Sequence, residues 1–419
     1  MKYQPLPHRR FLFLQGPPGP FFWLLGQRLE ELACSVQRIN LNGGDQADWP
    51  RKAVNYRGSR KRWTLFIDRF LRDNGITDIL LFGDCRPLHM AAHHMARLRH
   101  INVHVFEEGY IRPDWVTLEP SGVNGHSALP RDPNWFLERA AALPPVPERP
   151  AITASFRRRV RDAYRYYHHV VVKSPLFPFY QSHRQGSLIG EGLGWARKLA
   201  TRKTTRLQAE RALQHIGDQP YFLFPLQLTN DYQIREHSPF ASMAEAVDYV
   251  LHSFARRAPS DVDLVVKVHP LDAGFMSWRR YLAKRAKALG IAGRVFHIDG
   301  GDLLDLTTQA RGMVTVNSTS ATLALQAGVP TMALGKAVYA MEGITHQGRL
   351  DDFWMRPEVP DPEIYEAFRR VLYDQCLIYG GLASQTAIST LVESAVERLV
   401  GDWVSHWQPA PPIFAAAAE

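Results

Sequence analysis

The stretch Asp263-Leu264-Val265-Val266-Lys267-Val268-His269-Pro270 constrains the fold more than any other part of this chain. Its aliphatic residues run on continuously instead of alternating, as in a strand covered on both faces of a parallel sheet. Proline cannot donate to a central ladder, so Pro270 sets the strand's carboxyl end. Lys267 and His269 stand at that end, where open α/β sheets bind their ligands. A cation and an imidazole there suit an anionic ligand. A strand running out into a loop with a surface histidine accounts for the same residues.

Parallel strands need crossover connections, and the chain supplies them. Residues 11–14 read as a first strand, followed by a turn-rich loop from Gln15 to Pro20. A helix over 21–34 carries Leu24, Leu25, Leu29 and Leu32 at helical spacing, and a strand over 36–41 ends at Asn42-Gly43-Gly44-Asp45. Strand, helix and strand in about 30 residues make a βαβ unit. The pattern continues with a helix over 67–74, a strand over 78–82, a helix over 87–99 and a strand over 103–106. Pro144, Pro145, Pro147 and Pro150 mark a linker. Residues 156–215 are basic, aromatic and helical in pattern. A second α/β series opens at Tyr221-Phe222-Leu223-Phe224-Pro225-Leu226 and runs to residue 334, with a helical region over 361–400. The expected fold is α/β and GT-B-like: two Rossmann-like domains facing a central cleft, a helical linker and a carboxyl-terminal helical return.

The 419 residues are too many for one typical domain. With 45% apolar and 22% charged residues the composition excludes wholesale disorder. A net charge of +9 favours anionic partners without choosing among sugar nucleotides, phospholipids and nucleic acid. Three scattered cysteines, Cys34, Cys85 and Cys376, make neither a disulfide framework nor a zinc site, and point to a reducing, cytoplasmic setting. No run approaches the roughly 18 apolar residues of a membrane span. Phe11 to Leu14 follows Arg9 and Arg10 but is broken at Gly16-Pro17-Pro18, too early for a signal peptide, so the chain is expected not to be secreted.

Four stretches at strand ends could do chemistry. Glu107-Glu108-Gly109-Tyr110 follows the strand at 103–106; adjacent carboxylates repel, and one can keep a raised pKa and serve as acid/base. Gln227-Leu228-Thr229-Asn230-Asp231 follows the first strand of the second half, where Asp231 suits a nucleophile or charge stabiliser. Lys267, His269 and Pro270 form the third stretch. Asn317-Ser318-Thr319-Ser320 precedes a helix, whose amides and hydroxyls suit phosphate. Each has a plain structural use as well: a solvated strand end, an Asx-turn, a surface loop, an N-cap. Their order along one chain is what links them.

Glu-Glu-Gly, then His-Pro, then Ser-Thr-Ser resembles the motif set of bacterial CMP-sugar glycosyltransferases. More closely, Phe13-Leu14-Gln15-Gly16-Pro17-Pro18-Gly19-Pro20-Phe21-Phe22, Asn42-Gly43-Gly44-Asp45 and Glu107-Glu108-Gly109-Tyr110-Ile111-Arg112-Pro113 resemble the capsule polysaccharide synthesis/export family typified by KpsS and LipB. The resemblance runs over most of residues 10–350. It implies a retaining β-Kdo transferase that moves Kdo from CMP-β-Kdo to a lysophosphatidylglycerol-type lipid, starting the poly-Kdo linker of a capsule. It implies an acceptor domain over 1–150, a basic membrane-facing segment over 151–218, a CMP-sugar domain over 219–360, and a helical return and tail over 361–419. By the same resemblance Asp231 is the nucleophile and Glu107 or Glu108 the acid/base. Lys267, His269, Pro270, Asn317, Ser318, Thr319 and Ser320 hold the donor, while Gln15, Gly16, Tyr110, Arg112 and Gln227 line the acceptor side.

No metal or cofactor is expected, because the one Asp-x-Asp, Asp261-Val262-Asp263, lies at the wrong end of its strand. The expected partners are CMP-Kdo, a phospholipid acceptor, the anionic inner-membrane surface and other capsule assembly proteins. Attachment is expected at the cytoplasmic face, peripherally, through residues 156–206, with Arg157, Arg158, Arg159, Arg161 and Arg165 beside Tyr164, Tyr166 and Tyr167. A non-catalytic, membrane-associated export component is the competing reading. No nucleic-acid-binding motif is visible.

Overall fold

In the computed structural model, residues 8–182, 202–217, 219–228, 232–270 and 276–401 are described, with positions 6, 194, 198 and 272 besides. The chain divides into two compact units that are discontinuous in sequence. The first takes residues 1–130, 144–183 and 371–419, the second 131–143 and 184–370.

The first unit contains β1 (Arg10–Phe13), β2 (Ser35–Asn40), β3 (Val54–Asn55), β4 (Asp78–Phe82), β5 (Asn102–Glu108) and β6 (Trp115–Pro120), and the late strand β12 (Leu377–Tyr379). They lie in the order β12-β6-β5-β4-β1-β2-β3. The five strands from β5 to β3 are parallel, while β6 runs antiparallel to both β5 and β12. The chain builds outward from β1 through β2 to β3, then returns to lay β4 on the other side of β1. Connections therefore diverge between β1 and β4, the switch point where an open sheet leaves a crevice at its strand ends.

Phe13, Phe21, Phe22 and Phe106 interlock above this sheet, with ring centroids 5.3–5.6 Å apart. The helix Gln385–Val400 joins the same core, burying Ile388, Leu391, Val392, Ala395, Val396 and Leu399 at three- and four-residue spacing. Each such side chain contributes about 1.5–3 kcal/mol when fully buried, less for Ala.

The second unit contains β7 (Tyr221–Pro225), β8 (Asp263–Lys267), β9 (Val295–Ile298), β10 (Gly312–Thr315) and β11 (Thr331–Ala333), all parallel, in the order β11-β10-β7-β8-β9. Its switch point lies between β7 and β10. Both faces are covered, as the continuous aliphatic runs require. Phe222, Phe224, Leu264 and Val266 enter one core, Leu223 and Val265 the other.

Several elements differ from the sequence expectation. β5 does not stop at Phe106 but runs through both glutamates, because β6 pairs Glu107 with Thr117 and Glu108 with Val116. The region 361–400 is not wholly helical. Helix Pro362–Val371 passes through a π-helical turn, Leu372–Cys376, into β12, which completes the first sheet's edge. Helix Phe156–Val172 belongs to the first unit, where it packs against the short helix Gly43–Asp48.

Candidate functional sites at the strand ends of each unit

In the first unit the residues after β1 and β2 converge through one tyrosine. Tyr166, on helix Phe156–Val172, is buried; its hydroxyl accepts from Gln15 Nε2 at 2.5 Å and Asn42 Nδ2 at 2.9 Å, and donates to Asp45 Oδ1 at 3.0 Å. The Asn-Gly-Gly-Asp stretch makes that approach possible. Asn42 caps helix Gly43–Asp48 by accepting from the Asp45 amide. A Cβ at Gly43 would lie 2.2 Å from the His169 carbonyl, and one at Gly44 would lie 2.7 Å from the Tyr166 ring. Gly16 is buried under the Phe22 ring.

The two glutamates of β5 point to opposite sides, as strand geometry demands, and meet different surroundings. Glu107 is turned toward Gly83 at the end of β4. A Cβ built on that residue, whose φ is +73°, would lie 3.3 Å from Glu107 Oε2 and 3.8 Å from Arg86 Nε. Burial pushes the Glu107 carboxyl up to about 7, with the Glu108 charge adding to it, against the pull of the Glu108 amide and Arg86. Glu108 goes the other way. Burial acts to raise it too, but Arg159, at 2.5 Å, and Arg112 outweigh burial and hold it below its ordinary value. One carboxyl is thus kept protonatable near neutrality beside one kept ionised, the separation that acid/base work requires.

Beside Glu107, Asp84 is buried. Its carboxylate accepts from Cys85 Sγ at 3.2 Å and from the Val123 amide at 3.2 Å, and lies 3.0 Å from His126 Nδ1. Carboxylate, thiol and imidazole are a donor set a divalent ion accepts, yet the protein's own groups already occupy this carboxylate.

At the switch point a cavity of about 80 Å³ is lined by Gln15, Tyr56, Arg60, Arg86, His89 and Tyr180, among others. His89 is fully buried, and its Nδ1 lies 2.6 Å from the Gly83 carbonyl. Arg86 and His89 were not anticipated from sequence. The signal was there: Gly83-Asp84-Cys85-Arg86 follows a fully buried strand, and His89 sits one turn into the next helix. Two other expected acceptor residues are placed differently. Tyr110 is buried, its hydroxyl donating to Glu119 Oε1 at 2.5 Å and accepting from the Asn124 amide, so it braces β6 against the following turn. Arg112 is exposed and binds the Gly109 carbonyl through Nε.

In the second unit, Gln227 beyond β7 and Asn317 beyond β10 clasp each other across the switch point. Gln227 Nε2 donates to Asn317 Oδ1 at 2.8 Å, and the Asn317 amide donates to Gln227 Oε1 at 3.1 Å. Ser318 Oγ accepts from the Ser320 amide and hydroxyl, and the Ser318 carbonyl accepts from Tyr339. The helix that follows, Ala321–Gln326, has one and a half turns, and Ser320 makes no side-chain cap. Thr319 accepts from the Thr322 hydroxyl through its carbonyl. His269 and Pro270 stand at the end of β8, on the other side of β7 from this cluster, and the His269 carbonyl accepts from the Asp272 amide.

Lys267 is buried rather than open to a ligand. Its ammonium donates to the carbonyls of Gly300 and Gly301, the latter at 3.1 Å, so it pins the turn after β9. Lys198, expected on a membrane-facing surface, donates instead to the Pro270 carbonyl at 2.7 Å. Asp231 lies outside the described residues.

With two α/β units, each gathering polar side chains at the switch point of its sheet, the chain is an α/β protein of two Rossmann-like units. Residues 77–382 match the family described as capsule polysaccharide biosynthesis protein. The chain is 34% identical over 370 residues to capsule polysaccharide export protein KpsS of Escherichia coli, covering 87% of this chain and 94% of that one. It is 32% identical over 387 residues to capsule polysaccharide modification protein LipB of Neisseria meningitidis serogroup B, covering 89% and 91%. The chain belongs to the capsule polysaccharide biosynthesis protein family. Among solved structures, KpsC of Thermosulfurimonas dismutans, a beta Kdo 2,7 transferase, covers 92% of this chain and 99% of its own at 15% identity and a TM-score of 0.44.

Proposed function

We propose that this chain is a retaining, metal-independent glycosyltransferase of capsule biosynthesis. It transfers Kdo from CMP-β-Kdo to a lysophosphatidylglycerol-type lipid and so starts the poly-Kdo linker. The observation that carries the reading is the split between the paired glutamates of β5, within a chain of a capsule-biosynthesis family. Glu107 takes the proton from the acceptor hydroxyl, and Glu108, tied to Arg159, stays ionised and structural. Asp231 is the nucleophile: its carboxylate displaces CMP from the anomeric carbon, and the acceptor oxygen then displaces Asp231. His269 and the Ser318–Ser320 stretch bind the nucleotide phosphate.

The reading includes peripheral attachment to the cytoplasmic face of the inner membrane. No helix among the described residues is long and apolar enough to cross a membrane. Support for attachment comes from Phe156, Val160 and Tyr164, which recur at four-residue spacing and are 65%, 49% and 71% exposed beside exposed Arg157 and Arg161. The wider expectation for this segment is corrected. Arg158, Arg159 and Arg165 pair with Asp162, Glu108 and Asp48, and Tyr166 is interior.

Purified chain supplied with CMP-β-Kdo and lysophosphatidylglycerol should release CMP and add one Kdo mass to the lipid, at an unchanged rate in EDTA. A chain that binds neither substrate and turns over nothing would leave the non-catalytic export reading in its place. His269→Ala should weaken CMP binding in calorimetry without altering the thermal transition.

A further inference from the structure

In the second unit, the turn that opens on His269 is tied down by a side chain 72 residues from Pro270 in sequence. β8 stays paired one residue past Lys267, where the Val268 amide donates to the Ile298 carbonyl at 2.8 Å, so the turn begins at His269. The Asp272 amide donates to the His269 carbonyl at 3.0 Å and closes four residues, with Pro270 second, where its fixed φ suits a turn. The buried Asp272 carboxylate accepts from Trp278 Nε1 at 3.4 Å. Two carbonyls of this turn meet one ammonium: Lys198 Nζ donates to Pro270 at 2.7 Å and to Asp272 at 3.3 Å. Asp299 Oδ1, beyond β9, lies 3.7 Å from the same nitrogen, and both side chains are 24% exposed. The backbone next to Asp299 is itself fixed, because Lys267 donates to the carbonyls of Gly300 and Gly301. An ammonium has three N–H donors and can hold all three acceptors.

We propose that Lys198 is a positioning residue of the nucleotide site: it fastens the His269 turn to the loop after β9 and so sets where the imidazole stands. Two carbonyl oxygens and a carboxylate converge on its nitrogen as they would on a monovalent cation. Charge is therefore needed at this point as well as length. A neutral side chain would leave three acceptors facing one another with no donor between them. The ammonium acts on a ligand only through the turn it holds. The proposal deepens the transferase reading and rests on it for His269 as a nucleotide-binding residue; the tether itself is a property of the unliganded chain.

Calorimetry with CMP and hydrogen exchange of the unliganded chain test the two parts separately. Lys198→Ala should weaken CMP binding by about tenfold while the second unit keeps one cooperative melting transition. In the same variant, without CMP, the Asp272 amide should exchange about tenfold faster than in wild type. Propylammonium is the part of the side chain that alanine lacks, and it should restore both affinity and protection. The alcohol 1-propanol, matched in shape but uncharged, and sodium chloride at the same ionic strength should restore neither. Unchanged CMP affinity in Lys198→Ala, with His269→Ala weakened, would overturn the positioning role. Equal effects of propanol and propylammonium would overturn the need for charge. Asp272 exchange as slow as in wild type would overturn the tether. If Lys198→Ala fails to fold, Lys198→Met, near lysine in length and without its charge, takes its place in both measurements. Faster exchange in the variant, with a wild-type chain that binds no CMP, would keep the tether and sink the nucleotide reading.

Discussion

Glu107 and Glu108 are neighbours in the chain, yet their carboxyl groups are shifted in opposite directions, Glu107 up to about 7 and Glu108 below its ordinary value. The cause is strand geometry: one side chain turns to Gly83 and a buried crevice, the other to the Arg159 guanidinium. The consequence for stability has a definite sign. A carboxyl whose folded pKa is raised to about 7 favours folding while it is protonated, below its ordinary value near 4.5. That contribution is lost as pH rises toward 7. Glu107→Gln cannot ionise, so it should be more stable than wild type above pH 7, by on the order of 2 kcal/mol, and equal to it near pH 4. Urea titrations at both pH values check this; a variant less stable at pH 8 would mean that the carboxylate is well solvated. Glu108→Gln removes a half-exposed ion pair and should change transfer by less than about fivefold. At this scale the Glu-Glu-Gly stretch was legible from its place at a strand end. Tyr110 was misjudged, because only the fold reveals that Glu119 and Asn124 claim its hydroxyl.

Among the elements, β4, β7 and β8 could be read directly, since each carries at least three consecutive apolar residues buried on both faces of its sheet. β6 was hidden because it buries Thr117 and Glu119, polar residues satisfied by Tyr110 and Ser127. β12 was hidden because three residues between two helices give no period at all. Helix Phe156–Val172 was legible as basic and aromatic but not as two-faced. One face carries Tyr166 and Asp162 into the first unit, and the other leaves Phe156, Val160 and Tyr164 exposed. Apolar side chains entering a bilayer surface contribute about 1.5–3 kcal/mol each when fully buried, and basic ones near anionic lipid about 1 kcal/mol. Wild-type protein should therefore float with phosphatidylglycerol vesicles at low salt, and Phe156→Ser with Tyr164→Ser should stay at the bottom of the gradient. Equal flotation of both would remove this face from the account.

For the molecule as a whole, the first unit depends on the chain's late residues. β12 caps the sheet edge at β6, and helix Gln385–Val400 covers the core built on Phe11, Phe13 and Phe21. A chain ending at residue 384 should lose the cooperative unfolding of the first unit while the second, closed by residue 370, still melts as a unit. Calorimetry that shows both transitions intact would contradict that division. The central claim, that Glu107 accepts the proton in a Kdo transfer, is tested most directly by the pH dependence of transfer from CMP-β-Kdo to lysophosphatidylglycerol. The wild-type rate should rise with pH through about 7, as the carboxyl ionises. Glu107→Gln should lower the rate by about 10²–10⁴-fold and flatten that rise. A Glu107→Gln enzyme that keeps the wild-type rate and profile would contradict the account.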